Sequence, residues 1–360
     1  MRSTFHVLAL AAFAGSVLSA PTTKNNIEER QAPNGVPDYV LKYAPVVYLH
    51  SQDPYFPSDL STHLSHVTPR ANFNPVSAPS PLSLTNLDQL GGDVYLTSND
   101  DVTQNPEWIK GVRPDGNGKM EGKTAAVVVN DKGSGNVDAF YFYFYTYNWG
   151  GLVAKILGFK GLNFGNHVGD WEHIMIRFSN GQPQHVWYSQ HSNGQAFTYS
   201  ATEKHTDNTR PVAYSANGSH ALYAIGGGHD HTIPNLNLPG GVLVDETDRG
   251  VFWDPLQSSY YYKYDAGANS FTAYDGSAPT QWLKFGGRWG DQEYPTSDKR
   301  QVKIFGQAKF VGGPTGPADK QLNRNNVCPE NGQKCILRGF LVPRKVETDG
   351  VVFEGDEVVE

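Results

Sequence analysis

The chain has 360 residues and a formal net charge of −7, with 38 glycines, 23 prolines and only two cysteines. An acidic balance argues against nucleic acid as the partner, because phosphate binding needs clustered Lys and Arg. Apolar runs are short and turn-punctuated, and after residue 20 none approaches the roughly 20 residues that a membrane-spanning helix needs, so no transmembrane segment is expected.

Residues 1–20 read as a secretory signal peptide, with Arg2, an apolar core from Val7 to Ala14 and small residues at Ser19 and Ala20. Residues 21–30 are polar and end in Glu28-Glu29-Arg30, a candidate propeptide. Removing both takes away three basic and two acidic side chains, which leaves −8 on residues 31–360. These form one expected domain, since no linker rich in Pro and Ser is long enough to divide them. The mature protein is expected outside the cell.

From there the pattern is all-β. Val46–His50, Gly92–Leu96, Thr124–Val129 and Ala139–Tyr147 have strand composition. Within the last, Phe140 to Tyr145 alternates Phe with Tyr, which suits a strand with Phe facing a core and Tyr a wetter surface. Leu152 to Phe159 is an apolar segment, either core or a loop for peripheral membrane contact, and Val153–Leu157 could form a short helical turn. Ile174–Phe178 and Gln184–His191 are strands separated by the hairpin signal Ser179-Asn180-Gly181-Gln182-Pro183. Gln195–Ser200 follows the turn Ser192-Asn193-Gly194. Helix is scarce, and strands at this spacing favour a β-sandwich with long loops. Cys328 and Cys335 are expected to close one small disulfide loop.

The stretch Asn166-His167-Val168-Gly169-Asp170-Trp171-Glu172-His173 carries the most chemistry. A strand beginning near Asp170 puts Asp170 and Glu172 on one face and Trp171 and His173 on the other. With His167 on the approaching loop, the two carboxylates suit either a divalent cation or an acid/base pair. Asn148 ends the preceding aromatic strand and is a supporting candidate. Eight of the twelve histidines lie between His167 and His231. Each also has a plainer reading as a packed or surface residue: His185 and His191 share a strand face with Trp187, and His229-Asp230-His231 could be a solvated loop. Asp245-Glu246-Thr247-Asp248 could cap a turn. Mixed oxygen and imidazole ligands put Mg²⁺, Ca²⁺ or Mn²⁺ ahead of Zn²⁺, and there is no His-Glu-x-x-His motif. A Gly-x-Ser-x-Gly elbow is also missing, since Ser219 sits in Asn-Gly-Ser-His-Ala. Glycoside hydrolysis stays open, because two carboxylates on one face could approach the ~5–5.5 Å separation of retaining enzymes.

At these residues the chain resembles the vacuolar protein sorting-associated protein 62 family. The similarity is carried by Tyr43 to Leu49, Tyr55 to Asp59, Asn166 to Glu172, Tyr214 to Ala221, Asp245 to Gly250 with Trp253-Asp254, and Gly287 to Asp291. It spans nearly all of residues 31–360 in order, and the family name implies a link to vacuolar delivery. The chain also resembles, more remotely, secreted necrosis-inducing proteins, whose signature has the form Gly-His-Arg-His-Asp-Trp-Glu. His167, Asp170 and Glu172 match that signature's metal-linked residues, while Asn166 and Gly169 replace its Gly and second His. Asn148 stands nearest to an upstream aspartate of that family and His220 corresponds to a later histidine. This resemblance implies a β-sandwich with a cation-binding edge that touches sugar head groups of sphingolipids. If so, Gly218-Ser219-His220 lies near the acidic cluster, and a glycan on the Asn217 sequon would crowd it.

The expected protein therefore binds a divalent cation through His167, Asp170 and Glu172, with Asn148 and His220 in support, and takes a carbohydrate or glycolipid head group. The alternatives are a carboxylate-dependent glycoside hydrolase and a protein-interaction module in vacuolar sorting. Metal analysis separates the first from the others.

Overall fold

In the computed structural model the described residues are 32–150, 163–230, 244–304, 306–341 and 357–359. The expected signal peptide 1–20, the candidate propeptide 21–30, the apolar segment 152–159 and His231 lie outside them. The described residues are mostly strand, with two short α-helices, Asp38–Lys42 and Leu60–Ser65. None of their helices is long and apolar enough to cross a membrane.

A nine-stranded sheet forms the frame, in the order Ser270–Ala273, Ser259–Asp265, Ala125–Gly133, Asn136–Asn148, His167–Ser179, Gln182–Gln190, Asn193–Thr198, Cys335–Arg338, Glu357–Val359. The centre is antiparallel, built from hairpins. Asn180 and Gly181, with φ of 48° and 74°, make the two-residue turn between Ser179 and Gln182, where left-handed residues match the twist of the flanking strands. The expected strands are present with small shifts. The one placed at Gly92–Leu96 runs instead over Tyr95–Ser98, because Val94 N–H still bonds Gly91 O in a turn.

Both faces of this sheet are covered, which gives the all-β, sandwich-like architecture. On one side lies a four-stranded sheet of Leu222–Tyr223, Val212–Ser215, Val46–Leu49 and Val251–Trp253. Its Val47, Leu49, Ala213 and Trp253 pack against Tyr141, Tyr143 and Tyr145. On the other side the helix Leu60–Ser65 and loops bring Leu60, Trp282, Phe285 and Trp289 onto Phe140, Phe142, Phe144 and Trp171.

The tyrosine face is therefore not the wetter surface that the Phe/Tyr alternation suggested. A second sheet buries it, and two of the three phenols find internal partners: Tyr141 OH donates to Val40 O at 2.7 Å, and Tyr145 OH meets Ser215 Oγ at 3.2 Å. Tyrosine fits a buried strand when its polar tip finds a partner.

Candidate functional site

The register of the two central strands sets the site. Tyr145 lies opposite Asp170 and Tyr143 opposite Glu172, whereas Phe144 faces Trp171 and Phe142 faces His173. Both carboxylates thus share the tyrosine face. His173 belongs to the other face, packed against Phe142 with its Nε2 accepting from Arg324 Nη2 at 3.1 Å. Burial, then Arg324, holds its pKa well below the ordinary range, so the ring is neutral.

Gly169 interrupts the strand with φ of 66°, and a Cβ there would stand 2.2 Å from Trp289 O. The position where the necrosis-inducing signature has its second histidine thus has no room for a side chain. Next to it, His167 Nδ1–H donates to Gly169 O at 2.7 Å, which leaves the Nε2 lone pair available. Burial pushes His167 down, while Asp170 and the Gly169 carbonyl pull it up. Asn148 is His167's partner in register, but its amide donates to Gly165 O at 2.9 Å and braces the loop before His167.

His220 joins the cluster from the turn after Val212–Ser215. It adopts φ of 58°, an uncommon conformation for a non-glycine residue that histidine enters more readily than most. This aims its ring inward, stacked on Tyr145 at 3.8 Å. Nδ1 meets Asp170 Oδ2 at 2.9 Å and Nε2 faces Asp53 Oδ2 at 3.5 Å. A fully buried imidazole therefore stands between two carboxylates.

Asp53 was not singled out from the sequence. It is held by Tyr55 N–H at 2.9 Å and Gly218 N–H at 2.8 Å, and burial pushes its pKa up against the pull of His220. Glu172 accepts from the Ser189 hydroxyl, which in turn accepts from His173 N–H at 2.8 Å. Burial, followed by Asp170, raises Glu172 well above the ordinary carboxylate range. Among the described residues no Lys or Arg forms an ion pair with Asp53, Asp170 or Glu172, and His220 is the one ionic partner of Asp53 and Asp170. Nor do any three His, Cys, Asp or Glu side chains among them close on one point as a ready-made coordination sphere.

A second node adjoins the turn. Asp245 accepts from Ser219 Oγ, Tyr223 OH and His191 Nε2, each at 2.7 Å. It is a buried strand residue and does not cap a turn. His191 leaves its strand with φ of 52°, which takes it off the face it was expected to share with Trp187. His229 is buried and stacks on Tyr223 at 3.7 Å, with Nε2 at 3.0 Å from Thr247 Oγ1, so this part of the segment is no solvated loop. Asn217 is half-buried in the same turn, its N–H bonded to Glu246 O. Cys328 and Cys335 form the expected disulfide, with Cα atoms 5.5 Å apart.

Asp53, Tyr145, Ser189 and Asp245 all reach the site through contacts spanning 16 or more residues. Local spacing carries no signal for such contacts.

The sequence profile of vacuolar protein sorting-associated protein 62 matches residues 22–307. The putative vacuolar protein sorting-associated protein TDA6 of Saccharomyces cerevisiae is 36% identical over 346 residues, covering 87% of this chain and 72% of the relative. Vacuolar protein sorting-associated protein 62 of the same yeast is 34% identical over 336 residues, covering 85% and 70%. Solved structures that overlap the fold include a necrosis and ethylene inducing protein 2 from the agent of cocoa's witches' broom disease, 16% identical with a TM-score of 0.26 over 53% of this chain and 68% of that one. Another, NLPPya in complex with glucosamine, is 12% identical with a TM-score of 0.28 over 64% and 77%. Overlaps this weak carry no functional argument. The two yeast relatives and the profile do settle kinship: the chain belongs to the vacuolar protein sorting-associated protein 62 family.

Proposed function

We propose that this protein is a cation-dependent binding protein, with His167, Asp170 and Glu172 at a divalent-cation site and a carbohydrate or glycolipid head group as ligand. One observation carries the reading. Asp53, Asp170 and Glu172 are buried, and among the described residues the first two share one ionic partner, His220, while Glu172 has none. Buried carboxylates without counter-charge are costly and either take up protons or attract a cation.

The donor set fits a hard cation that keeps much of its water. Mg²⁺ in particular is commonly held through one or two carboxylates with waters completing the shell, so a site without three converged protein ligands suits it. Such a cation would supply positive charge and open positions to the hydroxyl oxygens of a sugar. His220 orients Asp170, the Ser189 hydroxyl orients Glu172, and the Gly169 carbonyl fixes the His167 tautomer, the kind of outer support that metal ligands use. The names of the yeast relatives suggest a vacuole-related destination, reached through the secretory route.

Metal analysis of the purified protein and calorimetric titration with Mg²⁺, Ca²⁺ and Mn²⁺ test this. Wild type is expected to bind one ion and to gain about 2.7 kcal/mol of stability at a free ion concentration of 100 Kd. The Asp170→Asn/Glu172→Gln variant is expected to lose both effects. Equal melting with and without chelator, and no bound metal, would rule the reading out. One observation favours hydrolysis instead, namely the raised pKa of Glu172, which suits a general acid. Turnover in a glycoside screen that Glu172→Gln abolishes would establish it.

A further inference from the structure

A chemically opposite environment lies elsewhere on the sheet. Near the Cys328–Cys335 disulfide is a cavity of about 170 Å³, lined by Trp187, Asn193, Asn331, Gln333, Lys334 and Arg338 among others. Among the described residues none that lines it is acidic, although the chain carries a net charge of −7. A cavity this size holds a small molecule and not just a single water.

Trp187 is 3% exposed, and its buried indole N–H finds no acceptor. Behind it the Arg324 guanidinium lies 5.9 Å from the Trp187 ring and 4.9 Å from Phe140. Arg324 is 1% exposed; one terminal nitrogen meets His173, and its Nε and Nη1 find no acceptor. The nearby carboxylate of Asp138 is already taken, gripped by Arg177 through bonds of 2.8 and 2.7 Å. Three buried donors on this side, one on Trp187 and two on Arg324, thus lack an acceptor.

The amide wall adds to the imbalance. Gln333 Oε1 accepts from Asn193 at 2.6 Å, and Asn193 Oδ1 accepts from Asn331 at 3.0 Å. Both side-chain oxygens are thus engaged. A neutral sugar would need acceptors for its hydroxyl protons, whereas an oxyanion needs only donors.

We propose that this cavity binds a small molecule bearing an oxyanion, carboxylate or phosphate, whose oxygen accepts the Trp187 indole N–H while the Lys334 ammonium meets its charge. The disulfide ties down the loop that carries Asn331, Gln333 and Lys334, so it holds one wall of the site in place.

Calorimetric titration of the full chain with inorganic phosphate and with acetate, in chelator and at constant ionic strength, tests the proposal. Binding of at least one is expected, and which one binds distinguishes phosphate-bearing from carboxylate-bearing ligands. Lys334 is exposed, so Lys334→Gln should fold normally and weaken binding about tenfold. Trp187→Phe should weaken it by a similar factor, and the Asp170→Asn/Glu172→Gln variant should bind as wild type does. Neither anion binding, unchanged affinity in Lys334→Gln, or binding of N-acetylglucosamine in place of both anions would overturn it. So would loss of binding in the Asp170→Asn/Glu172→Gln variant, which would move the anion to the carboxylate site.

Discussion

Asp170 and Glu172 alternate with Trp171 and His173 on one strand, yet the two pairs occupy chemically different worlds. On the aromatic face Trp171 stacks on Trp282 at 5.6 Å and meets Trp289 edge-on at 5.2 Å, and the Arg324 cation is buried over the Phe140 ring. On the tyrosine face, by contrast, Asp53 and Asp170 flank one buried imidazole, His220. A sheet covered on both sides can thus separate stability from chemistry at a spacing of one residue. Around Trp171 the aromatic face should carry the fold, and the tyrosine face should carry the cation.

The largest effect should come from the aromatic face. Trp171→Ala removes a ring that is 3% exposed and touches Phe142, Phe144, Trp282 and Trp289, and should cost about 3–5 kcal/mol. Urea unfolding should show a lower midpoint at unchanged slope. A loss below about 1 kcal/mol would mean that the packing does not anchor the sheet. Gly169→Ala probes the seam between the faces. It forces a Cβ against Trp289 O in a left-handed backbone, and should cost about 3 kcal/mol from strain and overpacking together. Calorimetric melting that leaves it as stable as wild type would show that the strand can shift there.

How far the sequence foretold this contrast depends on reach. The period of two placed Asp170 and Glu172 opposite to Trp171 and His173 because only local geometry was needed. The hairpin at Asn180-Gly181 was legible for the same reason. Burial of the tyrosines was not, because alternation reveals that two faces differ but not whether a second sheet covers one of them. Asp53 reaches His220 across 167 positions in the chain, and its own neighbours, Gln52 and Pro54, form no motif. His191 was misplaced by a single left-handed residue at a strand end, which composition does not announce.

The next effect depends on pH and again tests the aromatic face. His63 packs against Phe144 at 4.9 Å and its Nε2–H donates to Trp289 O at 3.0 Å. Burial holds its pKa down to about 3, from an ordinary 6.5. Below 6.5 the unfolded chain takes up a proton that the folded ring refuses, so stability falls with pH until about 3. The slope should be about 1.4 kcal/mol per pH unit from this group alone. His63→Gln can still donate to Trp289 O but does not titrate. Stability measured from pH 7 to pH 4 should therefore fall less steeply in His63→Gln, and parallel curves would show that His63 becomes protonated in the folded state.

The smallest change in stability is expected where the chemistry is richest. Glu172 has a folded pKa raised well above its ordinary 4.5, by burial and then by Asp170. As pH rises past 4.5 the unfolded carboxyl ionises while the folded one resists, so wild type loses stability towards neutral pH through this group. Glutamine keeps an oxygen for the Ser189 hydroxyl and carries no charge. Glu172→Gln in chelator at pH 7 should therefore change stability by no more than about 1 kcal/mol, in the stabilising direction, as replaced buried charges often do. At pH 4 the gap should close. Saturating Mg²⁺, Ca²⁺ or Mn²⁺ should reverse the order of the two proteins, because only wild type then gains the binding energy. A variant that is several kcal/mol less stable in chelator would mean that Glu172 holds the fold together as Trp171 does, and the division of labour between the two faces would fail.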